Sequence, residues 1–329
     1  MSGAAVAVRE LAIVFARPGG SLPVVDGADF TLAPGEALGL VGESGSGKTL
    51  TARALLRLLP DGARVTRGSI TIDGVDLSTL SERELPAWRG RTVGFVPQEP
   101  ASALDPLATA GEQVAEVLRV HRGLSVRAAR SAAIAALESA GLAEPERCAA
   151  ALPHELSGGM RQRVCLALAI AGRPRLVIAD EPTSALDAVS AARWLDQLQE
   201  TRRSLGTSLL LVSHDLGAVA AGCDRVAIFY AGRVVERGPA AEVLRAPRHP
   251  YTKALVAAQP RWPAGDRPST RLDAIGGSVP EPGDWPSGCR FHPRCPLVRD
   301  ECRGAIPPLR AEGAGREHAC PVVTAEALT

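Results

Sequence analysis

The chain has 329 residues, a net charge of +1 and 46% hydrophobic residues. One hydrophobic core rarely grows beyond about 250–300 residues, so this length favours one large domain with a smaller appendage. Because the net charge is near zero, the protein has no strong positive potential to attract nucleic acid, and we expect no nucleic-acid partner. No apolar run approaches the roughly 20 residues of a spanning helix, and no signal peptide is visible. We therefore expect a cytosolic chain that acts at a membrane only through other subunits.

The N-terminal segment predicts an antiparallel β-layer followed by a phosphate site. Short alternating apolar runs over residues 4–42 indicate strands, with a turn at Gly19-Gly20. The run 37–41 is too short for a helix and fits a buried strand. Residues 50–59 have helical spacing. Between that strand and that helix lies a glycine-rich loop, formed by Gly42, Glu43, Ser44, Gly45, Ser46, Gly47, Lys48 and Thr49.

This loop has the sequence and the context of a nucleoside triphosphate site. Its glycines allow successive backbone N–H groups to point at phosphate oxygens, and the following helix adds its positive end. Lys48 is predicted to contact the β- and γ-phosphates, and the Thr49 hydroxyl to hold Mg²⁺. Basic residues in this chain are nearly all Arg, and Lys253 is the only other Lys. A Lys retained here supports a working loop, since a planar guanidinium fits poorly between phosphates.

The centre of the chain predicts helices, and the part after it predicts a parallel sheet. Residues 111–120 and 125–140 are Ala-rich with helical periodicity, and residues 158–171 form another predicted helix. Strands and helices then alternate from 176 to 221, a pattern typical of βαβ units in a parallel sheet. Residues 226–235 are predicted to form a hairpin.

Two polar groups follow apolar strands of this sheet. Asp180 ends the strand 176–179 and is predicted to hold the metal, while Glu181 is placed to activate the attacking water. The alternative for Glu181 is a charge at a helix N-terminus. His214 follows the strand 208–212, where an isolated His is either structural or functional.

These segments, in this order, resemble the ATP-binding cassette of ABC transporters over roughly residues 5–255. Leu156-Ser157-Gly158-Gly159-Met160 lies between the phosphate loop and the Asp180-Glu181 strand end, as in that family. The resemblance implies that Gln98 touches the metal and the water, and that His214 senses the γ-phosphate. It further implies that Ser157, Gly158 and Gly159 close over ATP held by a partner, with Asp187 at the subunit contact. Phe15 either stacks on adenine or belongs to the β-layer core.

Three features resemble the dipeptide, oligopeptide and nickel importer ATPases, above all the dipeptide D-type subunit. They are Met160 after Ser157-Gly158-Gly159, the residues His249-Pro250-Tyr251 where the cassette meets the tail (the 249–251 seam), and the cysteines of the tail. This resemblance implies a cassette over 1–255, with a helical subdomain inserted at about 100–173, and an extension over 256–329. It also implies a second ATPase, two transmembrane permeases and an external solute-binding protein, with this chain peripheral on the cytoplasmic membrane face. The expected function is ATP hydrolysis that drives uptake of dipeptides or oligopeptides. The alternatives are a nickel or other small-solute importer of the same architecture, a non-transport ABC protein and a nucleotide-dependent scaffold without turnover.

The tail carries four cysteines that suggest one shared ligand: Cys289, Cys295, Cys302 and Cys320. Disulfides are disfavoured in a cytosolic chain, and a loop-rich segment without a core is often held by metal. Four thiolates suit zinc or a [4Fe–4S] cluster, and free thiols are the third possibility. The family resemblance favours the cluster. Because the tail is far from the phosphate loop along the chain, a purely structural role is expected.

Overall fold

The computed structural model describes residues 5–184, 186–259, 274–313 and 315–323. Two sheets organise these residues. One has four strands and is antiparallel, and the other has eight strands and is largely parallel. This arrangement confirms the predicted α/β class, with an antiparallel layer beside a parallel-rich core.

The antiparallel layer comes from the N-terminal part of the chain. Its strand order is β2-β1-β4-β5. The strands are β1 (Val6–Arg17), β2 (Gly20–Leu32), β4 (Ala63–Ile72) and β5 (Val75–Asp76). The sequence predicted short strands in this region, whereas β1 is one strand of 12 residues. An irregularity between Val8 and Leu11, where Glu10 has a φ of 45°, interrupts its register with both neighbours.

The second sheet, which we call the main sheet, has the order β11-β12-β10-β9-β3-β8-β7-β6. Neighbours from β6 to β9 in this order pair in parallel, whereas β10, β11 and β12 are antiparallel. The strands are β3 (Ala37–Val41), β6 (Val93–Val96), β7 (Leu176–Asp180), β8 (Ser208–Ser213), β9 (Arg225–Tyr230), β10 (Arg233–Pro239), β11 (Arg310–Ala311) and β12 (Glu317–His318).

Helices flank this sheet, and five of those described lie between β6 and β7 along the chain. The helices are α1 (Lys48–Ala54), α2 (Leu85–Arg91), α3 (Pro100–Ala103), α4 (Ala110–Arg122), α5 (Val126–Ser139), α6 (Pro145–Ala150), α7 (Gly158–Ala171), α8 (Ala188–Leu205), α9 (Leu216–Gly222), α10 (Ala240–Arg245) and α11 (Pro250–Ala257). Ser125 caps α5 as predicted. The predicted helix 50–59 ends early, because Arg57 adopts a left-handed φ of 50° ahead of Pro60.

The buried core explains why the strands of the main sheet are so apolar. All five residues of β3 and of β7 are buried, and so are all six of β8. One apolar cluster lies on the side of α4, α5 and α7, and the other lies between the main sheet and the antiparallel layer. The sheet is thus covered on both faces, as parallel sheets require. Only residues at its strand ends can reach a ligand.

The tail is integrated into this fold. Strand β12 pairs with β10, and the Ala319 N–H donates to the Val235 carbonyl at 2.8 Å. The expected smaller appendage therefore extends the main sheet at one edge. Its strands have only two residues each, too few for any alternation to appear in the sequence.

Candidate nucleotide site

The glycine-rich loop connects β3 to α1, as the sequence predicted. A Cβ on Gly42 would lie 2.1 Å from the Phe229 carbonyl oxygen, so only glycine fits against β9 at this position. Gly47 has a φ of 103°, a conformation that side chains rarely adopt, and it caps α1. The loop is therefore tightly constrained at both ends.

Lys48 is buried inside this loop. Its Nζ donates to the carbonyl oxygens of Gly42 at 2.8 Å and Glu43 at 3.0 Å. Burial lowers the pKa of Lys48 to about 8, although the carboxylates of Glu181 and Asp180 act in the opposite direction. The ammonium thus sits among loop carbonyls and nearby acids, where phosphate oxygens could replace the carbonyls as acceptors.

Thr49 and Asp180 form a pair of oxygen ligands beside the loop. The Thr49 Oγ1 donates to Asp180 Oδ1 at 3.0 Å, although the two residues are 131 positions apart. Asp180 is buried, and this burial raises the pKa of its carboxyl while the hydrogen bond from Thr49 lowers it. A hydroxyl and a carboxylate together fit Mg²⁺, which prefers oxygen ligands.

Glu181 is the meeting point of the predicted catalytic side chains. Its Oε2 accepts a hydrogen bond from Gln98 Nε2 at 3.2 Å and lies 3.3 Å from His214 Nδ1. Its φ of 44° is left-handed, which is uncommon for a residue with a long side chain. Such strained backbone conformations cluster at functional sites.

Strand order explains how residues so distant in sequence meet. Strands β3, β8, β7 and β6 are consecutive neighbours in the main sheet and run parallel. The phosphate loop, His214, Glu181 and Gln98 each follow one of these strands, so they all emerge at the same edge. Ligands of open α/β sheets bind beyond the carboxyl ends of the strands.

The remaining predicted nucleotide residues lie outside this cluster. Ser157 caps α7 by accepting a hydrogen bond from the Met160 N–H, and it is exposed together with Gly158. Gly159 is half-buried. Among the described residues, none of these three hydrogen-bonds with the phosphate loop.

Two further residues complete the predicted set. Asp187 is exposed and caps α8, and hydrogen bonds from Ser190 lower the pKa of its carboxyl. Phe15 is half-buried in β1, where it pairs with Leu22 and Ala63 in the neighbouring strands.

The four tail cysteines line one small cavity of about 10 Å³, together with His249 and His292. Burial raises the pKa of Cys289 to about 11, and the other three thiols add to this effect. Within the described ranges, however, no three Cys, His, Asp or Glu residues are grouped closely enough to hold a metal ion. The thiols match a metal site in kind and converge on one cavity, but their spacing does not form a coordination shell.

Two residues at the phosphate loop were not identified from the sequence. The Glu43 N–H donates to the Tyr251 hydroxyl at 2.9 Å, and the Glu43 carboxylate pairs with Arg294. Tyr251 belongs to the 249–251 seam, which the sequence analysis used only as evidence of the family resemblance. Arg294 is one of many arginines in the tail, and its sequence context carries no signal of this contact.

Comparison with known proteins places the chain in a family. Residues 25–184 match the ABC transporter family, and residues 235–302 match the C-terminal region of oligopeptide/dipeptide transporters. A solved dimeric bacterial ABC transporter cassette is 29% identical, with a TM-score of 0.65 over 71% of this chain and 98% of that one. The fold and site therefore define an ABC-type ATPase.

Similar proteins with curated names show which branch of the ABC transporter family includes this chain. The oligopeptide transport ATP-binding protein AppD of Bacillus subtilis is 40% identical over 95% of each chain. The corresponding protein OppD of Mycobacterium bovis is 43% identical over 95% of this chain and 51% of its own length. A Brucella abortus protein, provisionally named a peptide import ATP-binding protein, is 44% identical over 95% of this chain and 93% of its own. The chain belongs to the ATPase subunits of the oligopeptide/dipeptide ABC transporter family.

Across the described residues, no helix combines the length and the apolar character needed to cross a bilayer.

Proposed function

We propose that this chain hydrolyses ATP at an interface with a second ATPase subunit and that hydrolysis drives peptide uptake. The observation that carries this proposal is the contact of Glu181 with both Gln98 and His214, beside Lys48 and the Thr49–Asp180 pair. A positioned carboxylate, a phosphate-binding ammonium and oxygen ligands for a metal are the parts that phosphoryl transfer to water requires.

Each side chain has a distinct role in this proposal. Lys48 binds the β- and γ-phosphates, and Thr49, Asp180 and Gln98 would hold Mg²⁺. The ion would neutralise phosphate charge when bound. Glu181 orients and deprotonates the attacking water, and His214 senses the γ-phosphate.

Other residues are assigned to nucleotide binding. The glycine-rich loop at 42–49 wraps the phosphates with its backbone N–H groups. Phe15 stacks on the adenine ring, which its half-buried position in β1 supports.

The second half of each site is proposed to come from a different subunit. Ser157 and Gly158 are exposed at the N-terminus of the 14-residue helix α7, where backbone N–H groups attract anions. We assign them, with Gly159, to the nucleotide held by the partner ATPase, and we place Asp187 at the same contact. The related bacterial cassette that was solved as a dimer supports such pairing.

Family membership supports a proposal for the surrounding assembly. We assign the chain to the cytoplasmic face of the membrane, bound to two permeases that receive solute from an external binding protein. The partner ATPase is proposed to be a different chain. Within this chain we divide the cassette, 1–255, from the extension, 256–329, and assign 100–173 to an inserted helical subdomain.

Peptides are the proposed solute, because the names of AppD, OppD and the Brucella protein all concern peptides. Nickel or another small solute is the alternative carried by the same architecture. The test is ATPase activity of the assembled transporter with its binding protein. Oligopeptide should stimulate hydrolysis severalfold over a solute-free sample. Stimulation by Ni²⁺ alone would instead select the alternative.

The tail cysteines are proposed as ligands of a [4Fe–4S] cluster, with zinc as the alternative. Their convergence on one cavity supports a shared ligand, and binding a cluster would require the thiols to rearrange into a coordination shell. Iron and zinc content of protein purified without oxygen tests this assignment. Thiols that titrate freely in a metal-free sample would rule out both metals.

A further inference from the structure

The C-terminal extension contacts the phosphate loop directly. Arg294 forms a two-pronged ion pair with Glu43, with one η-nitrogen 2.9 Å from Oε2 and the other 3.1 Å from Oε1. The Arg294 side chain is 5% exposed. The Glu43 side chain is 28% exposed, so the pair is partly buried. A bidentate arginine–carboxylate pair fixes both position and orientation, which an exposed single contact does not.

Arg294 is itself held in place within the extension. Its Nε donates to the Gly276 carbonyl at 2.8 Å, and its remaining contacts are the Ile275 carbonyl and the Tyr230 hydroxyl. The guanidinium therefore has several protein acceptors besides Glu43. A group anchored in this way can restrain a loop, because it does not simply follow the motion of the loop.

The residue that Arg294 restrains is central to phosphate binding. Glu43 is the second residue of the loop, and its carbonyl accepts a hydrogen bond from Lys48 Nζ. Its N–H donates to the hydroxyl of Tyr251, which is fully buried. One peptide segment is thus fixed at three points, by Tyr251 on the backbone N–H, Lys48 on the carbonyl and Arg294 on the side chain.

A second arginine of the extension supports the far end of the same loop. Arg290 donates to the Ala231 carbonyl and to Asp26, and its guanidinium lies 3.4 Å from the centre of the Trp285 ring. The next residue after Ala231, Gly232, donates its N–H to the Ser46 carbonyl at 2.9 Å. The extension therefore supports both Glu43 and Ser46, the first directly and the second through the β9–β10 turn.

We infer that the C-terminal extension completes the ATP site and that Arg294 is a positioning residue for the phosphate loop, acting through Glu43. The inference rests on the proposed function, because it assumes that the loop binds the phosphates of ATP. Without the pair, the loop samples conformations that do not bind phosphate, and part of the binding free energy is spent on ordering it. Affinity for MgATP falls, while the catalytic side chains near Glu181 keep their arrangement.

The test is the dissociation constant for MgATP of the purified full chain, measured by calorimetry. Arg294→Met should weaken binding by about tenfold, within the 5–150-fold range typical of coupling between sites. The affinity of Arg294→Lys should lie between those of the wild type and Arg294→Met, because Lys keeps the positive charge but cannot form the two-pronged contact. Arg299→Met is the matched control, because Arg299 is an exposed arginine of the same extension, and it should bind as the wild type does.

A double-mutant cycle with Glu43→Gln tests whether Arg294 affects MgATP binding through Glu43. If Arg294 acts through Glu43, the combined variant should bind MgATP about as weakly as the weaker single variant. Additive losses would show that Arg294 acts elsewhere and would overturn the inference. In the assembled transporter, KM for ATP should rise while kcat at saturating ATP changes less than about twofold.

The outcomes separate this inference from the proposed function. If the wild-type chain fails to bind MgATP, the proposed function is wrong. If the wild type binds and Arg294→Met binds equally tightly, only the role of Arg294 is wrong. Misfolding would lower the number of binding sites per chain instead of the affinity, and calorimetry reports the two separately. A lower site number with unchanged affinity for both Arg294 variants would likewise contradict a positioning role.

Discussion

His214 Nδ1 lies 3.3 Å from Oε2 of Glu181, and the two residues follow adjacent parallel strands of the main sheet. Gln98 Nε2 donates to the same oxygen. The histidine side chain is 57% exposed and the glutamate 15%, so His214 is the member of the pair that faces an incoming ligand. Two side chains from neighbouring strand ends therefore contact the same carboxylate oxygen.

Glu181→Gln tests the assigned chemistry of this carboxylate. The amide keeps the shape of the side chain and loses its basicity, so turnover in the assembled transporter should fall by about 10²–10⁴. MgATP affinity should be retained, because Lys48 and the loop bind the phosphates. Glu200→Gln, an exposed glutamate on α8, is the control and should hydrolyse ATP normally. Near-normal turnover of Glu181→Gln would remove Glu181 from the mechanism.

The assignment of Ser157 to a partner's nucleotide predicts a division between binding and turnover. The isolated chain should bind MgATP but hydrolyse it slowly, and adding the partner ATPase and permeases should restore the rate. Ser157→Arg should leave the MgATP affinity of the isolated chain unchanged and slow the assembled transporter, because the added side chain blocks the composite site. Full ATPase activity in a dilute sample shown to be monomeric would contradict this arrangement.

Local sequence patterns predicted most of the cassette. The runs at 37–41, 176–180 and 208–213 are largely apolar because each strand is buried on both faces, and that made the parallel sheet visible. The polar residues that end these runs mark the strand ends where the site forms. Helix α7 was predicted with the observed bounds, since Ser157 caps its start and an apolar run follows.

The relationship of the tail to the nucleotide site could not be predicted in the same way. Arg294 of the tail pairs with Glu43 of the phosphate loop across 251 positions, and no sequence pattern predicted this contact. Such a contact depends on three-dimensional packing, and neither residue belongs to a periodic pattern. The pairing of β12 with β10 is equally non-local and joins segments about 80 residues apart.

The tail cysteines give a prediction about metal content. Protein purified anaerobically should contain about four iron atoms per chain if the [4Fe–4S] assignment is correct. Cys295→Ser should lose most of that iron because one ligand is removed. Cys223→Ser, which alters a cysteine outside the tail cavity, should retain it. One zinc per chain without iron would keep the four-cysteine site but not the cluster.

The measurement that tests the central claim most directly is peptide uptake by proteoliposomes that contain this chain, its partner ATPase and both permeases. With the binding protein and labelled oligopeptide on one side and MgATP on the other, the account predicts uptake that requires ATP and is lost with Glu181→Gln. Wild-type vesicles that hydrolyse ATP without moving peptide, or that move it equally well with Glu181→Gln, would contradict the account.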